Sequence, residues 1–304
     1  MSTTSTLNLV FPQESERSKA SHPSTLDVEP KIFSILNEYV QPSSEVPPAI
    51  AAQEITQLYP TDPASQQPGT YDTEAYDFLL RLWELFIAIA EQIPWQHSSQ
   101  DKVIELVKAI RDLPNPTTIT FDNGFSRRVK LWTDLPVLAA VLTDNVETHG
   151  IIINDDSDEE KKSRLRDINF QGFAARLTAE GVWDLSRLGV YRLRAVLEEG
   201  PDYYIAGYDK VGPHIDACIL PAEVWISLSA KVILRFCRAN GDGADRNDLP
   251  GGEYWKGREG FSVERWEFWK QRLGEIAVNK EVSEETRSVA KKMKEKMIAT
   301  EAEA

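Results

Sequence analysis

WKGREGFSVERWEFWKQRL, residues 255–273, decides how this chain is read. Three tryptophans, two phenylalanines and five basic residues share this one short segment. Such a mixture belongs either to a ligand grip or to an amphipathic helix that closes a core. The order of the residues separates the two readings. Ser262 stands where a helix needs its N-cap, and Val263, Trp266, Trp269, Leu273 and Ile276 follow at spacings of three and four, which is one helical stripe. Glu264, Arg265, Glu267, Lys270, Gln271, Arg272 and Glu275 fall mostly elsewhere, with both signs mixed. A nucleic-acid grip interleaves aromatic and basic side chains on one positive face. Here the two classes segregate and the charges nearly cancel, so the segment is expected to be a helix whose indoles face inward.

Upstream segments extend the same pattern. DTEAYDFLLRLWELFIAIAEQI, 72–93, is apolar around most of its circumference. Its polar stripe is Asp77, Arg81, Glu84 and Glu91, with Asp77 and Arg81 spaced for an i,i+4 pair, which predicts a helix in the middle of a bundle. HSSQDKVIELVKAIRDLP, from His97 to Pro114, reads as a helix with Ser98 as N-cap and Asp101 completing a capping box. TTITF, 117–121, alternates weakly and is expected to be a lone extended segment without a partner strand. A helix is expected over Leu135–Val146. The run DDSDEEKKSRLRD, 155–167, places acids before bases, as a helix start does. That helix continues through Phe170, Phe173, Ala174 and Leu177 to a stop at Gly181. Residues 184–200 form another helix. The stretch after Pro213 is expected to kink or restart at Pro221, with Trp225, Leu228, Val232 and Phe236 on its inner side. A weakly amphipathic helix closes the chain over 283–299.

The fold expected is therefore all-α: an irregular multi-helix bundle forming a single globular domain over 28–280. A mobile, disordered tail of Ser, Thr, Pro and charged residues covers 1–27, and a peripheral C-terminal helix covers 281–304.

The chain has 34 basic and 48 acidic residues among 304, a net charge of −14. Such a surface disfavours phosphate backbones and anionic membranes, so neither nucleic acid nor membrane is expected as a partner. No signal peptide is visible, no apolar run approaches the ~18 residues that span a bilayer, and a cytoplasmic protein is expected, with the nucleus as the other compartment open. Cys218 and Cys237 lie among apolar neighbours and read as buried free thiols. The motifs of serine hydrolases, zinc peptidases and phosphate-binding loops are missing. His22, His97, His149 and His214 lack a second ligand at metal spacing and read as surface or helix-end residues. In NGDGADRNDLPGGE, 240–253, Asp242, Asp245 and Asp248 resemble a calcium loop, but Ala244 and Asp245 occupy the positions that require an acid and a glycine. No catalytic residue, cofactor or metal is expected.

Four segments carry a resemblance: IPWQHSSQDKVIELVKAIRDLP (93–114), LWTDLP (131–136), FQGFAARLTAEGVWDLSRLGVYRLRAVLEE (170–199) and WKGREGFSVERWEFWK (255–270). In their order the chain resembles a fungal family of helical proteins filed under a domain of unknown function, over residues 70–275. The resemblance implies a filamentous-fungal, soluble, α-helical protein and transfers no reaction or catalytic residue.

Four side chains mark a possible pocket or anion contact. Arg192 falls between Leu188 and Val196 inside an apolar stripe, where a guanidinium is either ion-paired for structure or poised as a clamp for an anion. Arg176, beside Phe173 and Leu177, raises the same pair of readings. Trp132 is a core anchor or one wall of a pocket, and Trp255 covers the bundle or lines its mouth. Two functions follow: a non-enzymatic interaction or regulatory protein with a protein partner, or a small-molecule-binding accessory protein or enzyme of fungal secondary metabolism. A deep aromatic cavity with Arg192 or Arg176 pointing into it favours the second.

Overall fold

A computed structural model describes residues 5–12, 23–60, 73–114, 118–121, 127–149, 157–200, 211–239 and 249–303. The regular elements among the described residues are helices apart from one two-stranded hairpin, as the all-α reading expects. The chain divides into two compact units, Met1–Thr148 and His149–Ala304.

The first unit contains α1 (Pro23–Val40), α2 (Pro48–Thr56), α3 (Thr73–Gln92), α4 (Ser99–Arg111), the strands β1 (Thr118–Phe121) and β2 (Arg127–Lys130), and α5 (Leu138–His149). α1 packs on α3, α2 on α4, and α1 also touches α2 and α4. The apolar circumference of α3 is enclosed as expected: Leu79, Leu82, Trp83, Phe86 and Ile89 have no more than traces of exposure. Half of its polar stripe is enclosed too: Asp77 and Arg81 are buried, while Glu84 and Glu91 are half-buried. Arg81, 2 % exposed, pairs with Glu84 at 2.8 Å and, at 3.3 Å, with Glu29 on α1. A charge inside a bundle is tolerated only with such partners.

Three expectations in this unit need correction. TTITF is not a lone segment: β1 pairs antiparallel with β2, Thr118 opposite Lys130 and Phe121 opposite Arg127. The hydroxyl of Ser98 does not cap α4. The Ser99 N–H donates instead to Nδ1 of His97 at 3.1 Å, so a buried imidazole takes the capping role. α5 begins at Leu138 rather than Leu135 because Leu135 (φ 45°) and Val137 (φ 70°) both hold left-handed backbone around Pro136. Each such residue costs about 1–3 kcal/mol. The turn is pinned by the indole of Trp83, which donates to the Pro136 carbonyl at 2.9 Å.

The second unit contains α6 (Asp158–Ala179), α7 (Ser186–Leu197), α8 (Val211–Arg238), α9 (Val263–Ile276) and α10 (Glu284–Glu303). α8 is the axis, with α6, α7, α9 and α10 all packed against it. α6 starts on its acidic turn, capped by the Ser157 hydroxyl, which accepts from Glu160 N–H at 3.2 Å. It ends where expected: Gly181 takes φ +64°, its N–H donates to Thr178 and that of Val182 to Leu177, a Schellman closure.

α8 runs through Pro221 without restarting. Its inner side is not the expected one. Trp225 is buried, but Leu228, Val232 and Phe236 are only half-buried, while Ala222, Ile226, Ser229, Ile233 and Cys237 face neighbours. An axial helix has no single inner face to find. Gly212–Arg238 is also long and apolar enough to cross a bilayer by length and composition, although no membrane-spanning run was expected; most of it is buried against its neighbours. α10, expected at the periphery, lies along α8 and α9 with Val289, Met293, Met297 and Thr300 buried.

In α9, Trp266, Trp269 and Leu273 are fully buried and the Ser262 hydroxyl accepts from Arg265 N–H at 3.1 Å, as the sequence predicts. Val263, assigned to the inner stripe, is 40 % exposed.

Candidate functional site

Two polar clusters run through the interior of the second unit. The first joins α6, α7 and α8. Arg192 donates to Asp167 at 2.7 Å, Gln171 donates to the same carboxylate oxygen at 2.9 Å, and the Trp225 indole donates to Gln171 at 2.8 Å. Arg192 is ion-paired through Nη2, while its buried Nε has no hydrogen-bond partner among the described residues. Trp225 reaches Gln171 because Gly189 of α7 makes room: a Cβ there would lie 2.7 Å from the indole ring.

The second cluster is more complete. Glu198 ends α7 and Arg265 lies in the first turn of α9; both side chains are fully buried. A guanidinium has five N–H donors, and all five are used. Nε donates to Glu198 Oε1 at 2.7 Å and Nη2 to Glu198 Oε2 at 2.8 Å. The other three donate to the carbonyls of Leu249 (3.0 Å), Gly260 (2.9 Å) and Pro250 (3.1 Å). The carboxylate is equally filled. Besides Arg265 it accepts the Trp269 indole at 2.6 Å and the Gly252 N–H at 3.1 Å. Next to it, Glu199 pairs with Arg194 and accepts the Glu253 N–H at 3.2 Å. Residues 249–260 are thereby fastened to α7 and α9 by charge-assisted bonds, the strong kind. In this lock every N–H of the Arg265 guanidinium and both oxygens of the Glu198 carboxylate have partners.

Arg176 is buried and donates to the Gly172 carbonyl of its own helix at 3.2 Å. Trp132, in the first unit, is 3 % exposed and meets Tyr59 edge-on at 5.5 Å, which makes it a core anchor. Trp255 is half-buried and stays near the surface. Its indole donates to the Arg258 carbonyl at 3.0 Å, and its ring tilts against Phe268 at 5.2 Å. Gly257 is required here, because a Cβ would come within 2.3 Å of the indole. Trp132 belongs to the first unit; in the second, Arg192, Arg176 and Trp255 engage separate partners, and Trp255 borders an open cleft. That cleft, about 760 Å³, lies along α9 and α10 and is lined by Trp255, Glu267, Phe268, Lys270, Lys294 and Ile298. Ile298 is 49 % exposed. Lys270 of this lining donates to Glu301, which also accepts the Trp266 indole, each at 2.5 Å. Burial works against the Lys270 charge, but Glu267 and Glu301 outweigh it and hold the ammonium above its ordinary pKa.

Other candidate chemistry is muted. Burial pushes the thiols of Cys218 and Cys237 up to about 12, away from nucleophilic thiolate. His214 is a helix-end residue, buried in the first turn of α8 with its Nε2 2.8 Å from the Ala195 carbonyl. His97, just ahead of α4, is buried as well, and His149 is the last residue of α5. Among the described residues no group of three or more His, Cys, Asp or Glu is arranged to hold a metal. His22, Asp242, Asp245 and Asp248 lie outside the described residues.

Sequence reasoning missed Asp167, Gln171, Glu198 and Arg265. One signal was present for the last: Arg265 precedes Trp269 by four, on the same side of the helix. A family model with the description "Protein of unknown function (DUF3632)" matches residues 83–273. No curated protein and no solved structure matches the chain.

Proposed function

The chain belongs to the DUF3632 family of proteins of unknown function, and on that premise we propose that it is a non-enzymatic interaction or regulatory protein. The observation that carries this reading is the use of the buried charges. Arg265 and Glu198, which a catalytic or anion site would turn toward a ligand, are spent on one another, and Arg192 commits its Nη2 to Asp167. What the second unit offers outward is the α9–α10 cleft, with aromatic and aliphatic side chains beside charges of both signs. Apolar centre and polar rim is the composition of a protein-binding surface. The net charge of −14 supports a protein partner over nucleic acid or membrane. The same reading includes a soluble, cytoplasmic protein of a filamentous fungus. The alternative, a small-molecule-binding accessory protein or enzyme of secondary metabolism, calls for Arg192 or Arg176 in an apolar cavity; the Arg192–Asp167 pair supports the first reading instead.

The test is affinity purification of the full chain from its native cells, with mass spectrometry of bound proteins and bound metabolites, beside an Ile298→Lys variant. A partner recovered by the native chain and lost with the variant is expected. Reproducible recovery of one metabolite and no protein would overturn the reading.

A further inference from the structure

Residues 5–12, STLNLVFP, fall in the segment expected to be a mobile tail, yet they lie on the first unit in a defined register. Gln41, the residue after α1, and Gln92, the last residue of α3, each pair with one residue of this arm through both of its main-chain groups. Leu7 N–H donates to Gln41 Oε1 at 2.9 Å, and Gln41 Nε2 donates to the Leu7 carbonyl at 3.2 Å. Val10 N–H donates to Gln92 Oε1 at 2.7 Å, and Gln92 Nε2 donates to the Val10 carbonyl at 3.0 Å. This is the pairing one strand gives another, supplied by two side-chain amides.

The spacing fits an extended chain. Leu7 and Val10 are three residues apart, about 10 Å of extended backbone. Their holders terminate α1 and α3, which pack directly, and packed helices lie about 8–10 Å apart. Burial alternates along the arm: Leu7, Leu9 and Phe11 are half-buried, while Thr6, Asn8 and Val10 are exposed. A period of two means one face down and one face up. Phe11 meets Phe33 of α1 edge-on at 5.2 Å, and Pro12 beyond it is buried.

The groove is built without help from the arm. Each glutamine is aimed by its own helix, since Nε2 also donates four residues back, to Asn37 at 3.1 Å or Ala88 at 2.9 Å. The start of α4 holds both helix ends. Ser99 Oγ donates to the Val40 carbonyl at 2.5 Å, and Lys102 to those of Gln41 at 2.7 Å and Ser44 at 2.9 Å. Gln100 donates to Ala90 and Ile93, both at 2.8 Å. The arm, by contrast, adds main-chain groups that any peptide possesses and three half-buried side chains.

We propose that the groove at the C-terminal ends of α1 and α3 is a binding site for an extended peptide segment of a partner protein, and that residues 5–12 are its built-in occupant, displaced when that peptide binds. The ligand is an uncharged stretch with apolar side chains at alternate positions, an aromatic at the third of them, and free N–H and C=O groups at two residues three apart. Recognition of extended peptides through main-chain bonds, with alternate side chains for selectivity, is a general mode. A tethered occupant acts at an effective concentration of the order of millimolar, so the native chain blocks its own site. This site belongs to the first unit and does not depend on the α9–α10 cleft.

The test uses the full chain carrying Leu7→Pro and Val10→Pro, which removes the two arm donors. A fluorescent peptide of residues 5–12 is titrated by anisotropy, with circular dichroism to check that the helices are unchanged. The released chain should bind at least about tenfold more tightly than the native chain, because a site closed for nine-tenths of the time raises the apparent Kd about tenfold. Phe11→Ser, which loosens the arm without proline, should shift affinity the same way. Adding Gln41→Leu and Gln92→Leu to the released chain should abolish uptake, as should N-methylation of the peptide at its Leu7 and Val10 positions. Equal affinity of native and released chains, failure of both released chains to bind, or undiminished binding of the methylated peptide would overturn the proposal. So would a concentration-dependent dimer of the native chain that vanishes in the released one, which would assign the groove to a second copy's arm.

Discussion

Arg265→Met removes the five-donor side chain that fastens 249–260 to α7 and α9 while keeping much of its length. It leaves Glu198 with Trp269 and Gly252 as its remaining donors and deprives the carbonyls of Leu249, Pro250 and Gly260 of a partner. Breaking a buried ion pair by removing one member costs about 3–5 kcal/mol. At about 2–4 °C per kcal/mol for a domain of this size, the unfolding midpoint of the second unit should fall by roughly 6–20 °C. Glu198→Gln should also be costly, because one carboxylate oxygen becomes an NH₂ and faces only donors: Arg265 and Trp269 on one side, Arg265 and Gly252 on the other. Arg265→Lys should rescue little, since an ammonium offers three donors from one point where five spread acceptors wait. The assay is thermal unfolding of the purified chain followed by tryptophan fluorescence and far-ultraviolet circular dichroism. A midpoint for Arg265→Met within about 2 °C of the native one would refute the reasoning, since a buried charge network cannot lose its centre at surface cost.

Two glycines should respond differently to alanine. Gly181→Ala meets nothing within 4 Å and suffers only its φ of +64°, about 1–2 kcal/mol. Gly189→Ala would press a methyl to within 2.7 Å of Trp225 and should cost more in urea unfolding; the reverse order would contradict the close-approach account. Iodoacetamide at pH 8 should leave Cys218 and Cys237 largely unmodified in the native chain and alkylate both in guanidinium, read by intact mass, because burial holds their pKa near 12. Burial lowers the pKa of His214 below its ordinary value of 6.5. The unfolded chain therefore binds that proton first, so stability should be fully present above about pH 7 and decline as pH falls through the unfolded value near 6.5. His214→Gln should flatten that part of the stability–pH curve, and an unchanged slope would remove His214 from the account.

Much of the helical frame was legible because its signals are local. Ser262 capping α9, the acidic first turn of α6 and the Gly181 stop each concern residues within one or two turns. Trp266 and Trp269 were legible from their spacing. Arg265 was not, because a helical projection sorts residues by polarity and Arg265 looks like surface until its partner is known. That partner, Glu198, is 67 residues away, and nothing local links them. The inner side of α8 was illegible for another reason: with neighbours on several sides, no angular pattern marks it. The β1 partner was missed because RRVK has a single apolar residue and so no alternation to mark it as a strand. In the arm, a composition averaged over 27 residues concealed an alternation only six residues long, and the amides that hold it belong to helix ends distant in sequence.

α8 has a consequence for how the chain is made. By length and composition it matches the signal that marks a segment for a bilayer. What keeps it from that fate is enclosure by neighbours, and two of these, α9 and α10, follow it in the sequence. At synthesis rates of about 5–20 residues per second, several seconds pass between the appearance of α8 and the completion of α10. During that interval α6 and α7 are already made and can cover part of α8, while the strip that α9 and α10 will cover stays open to water.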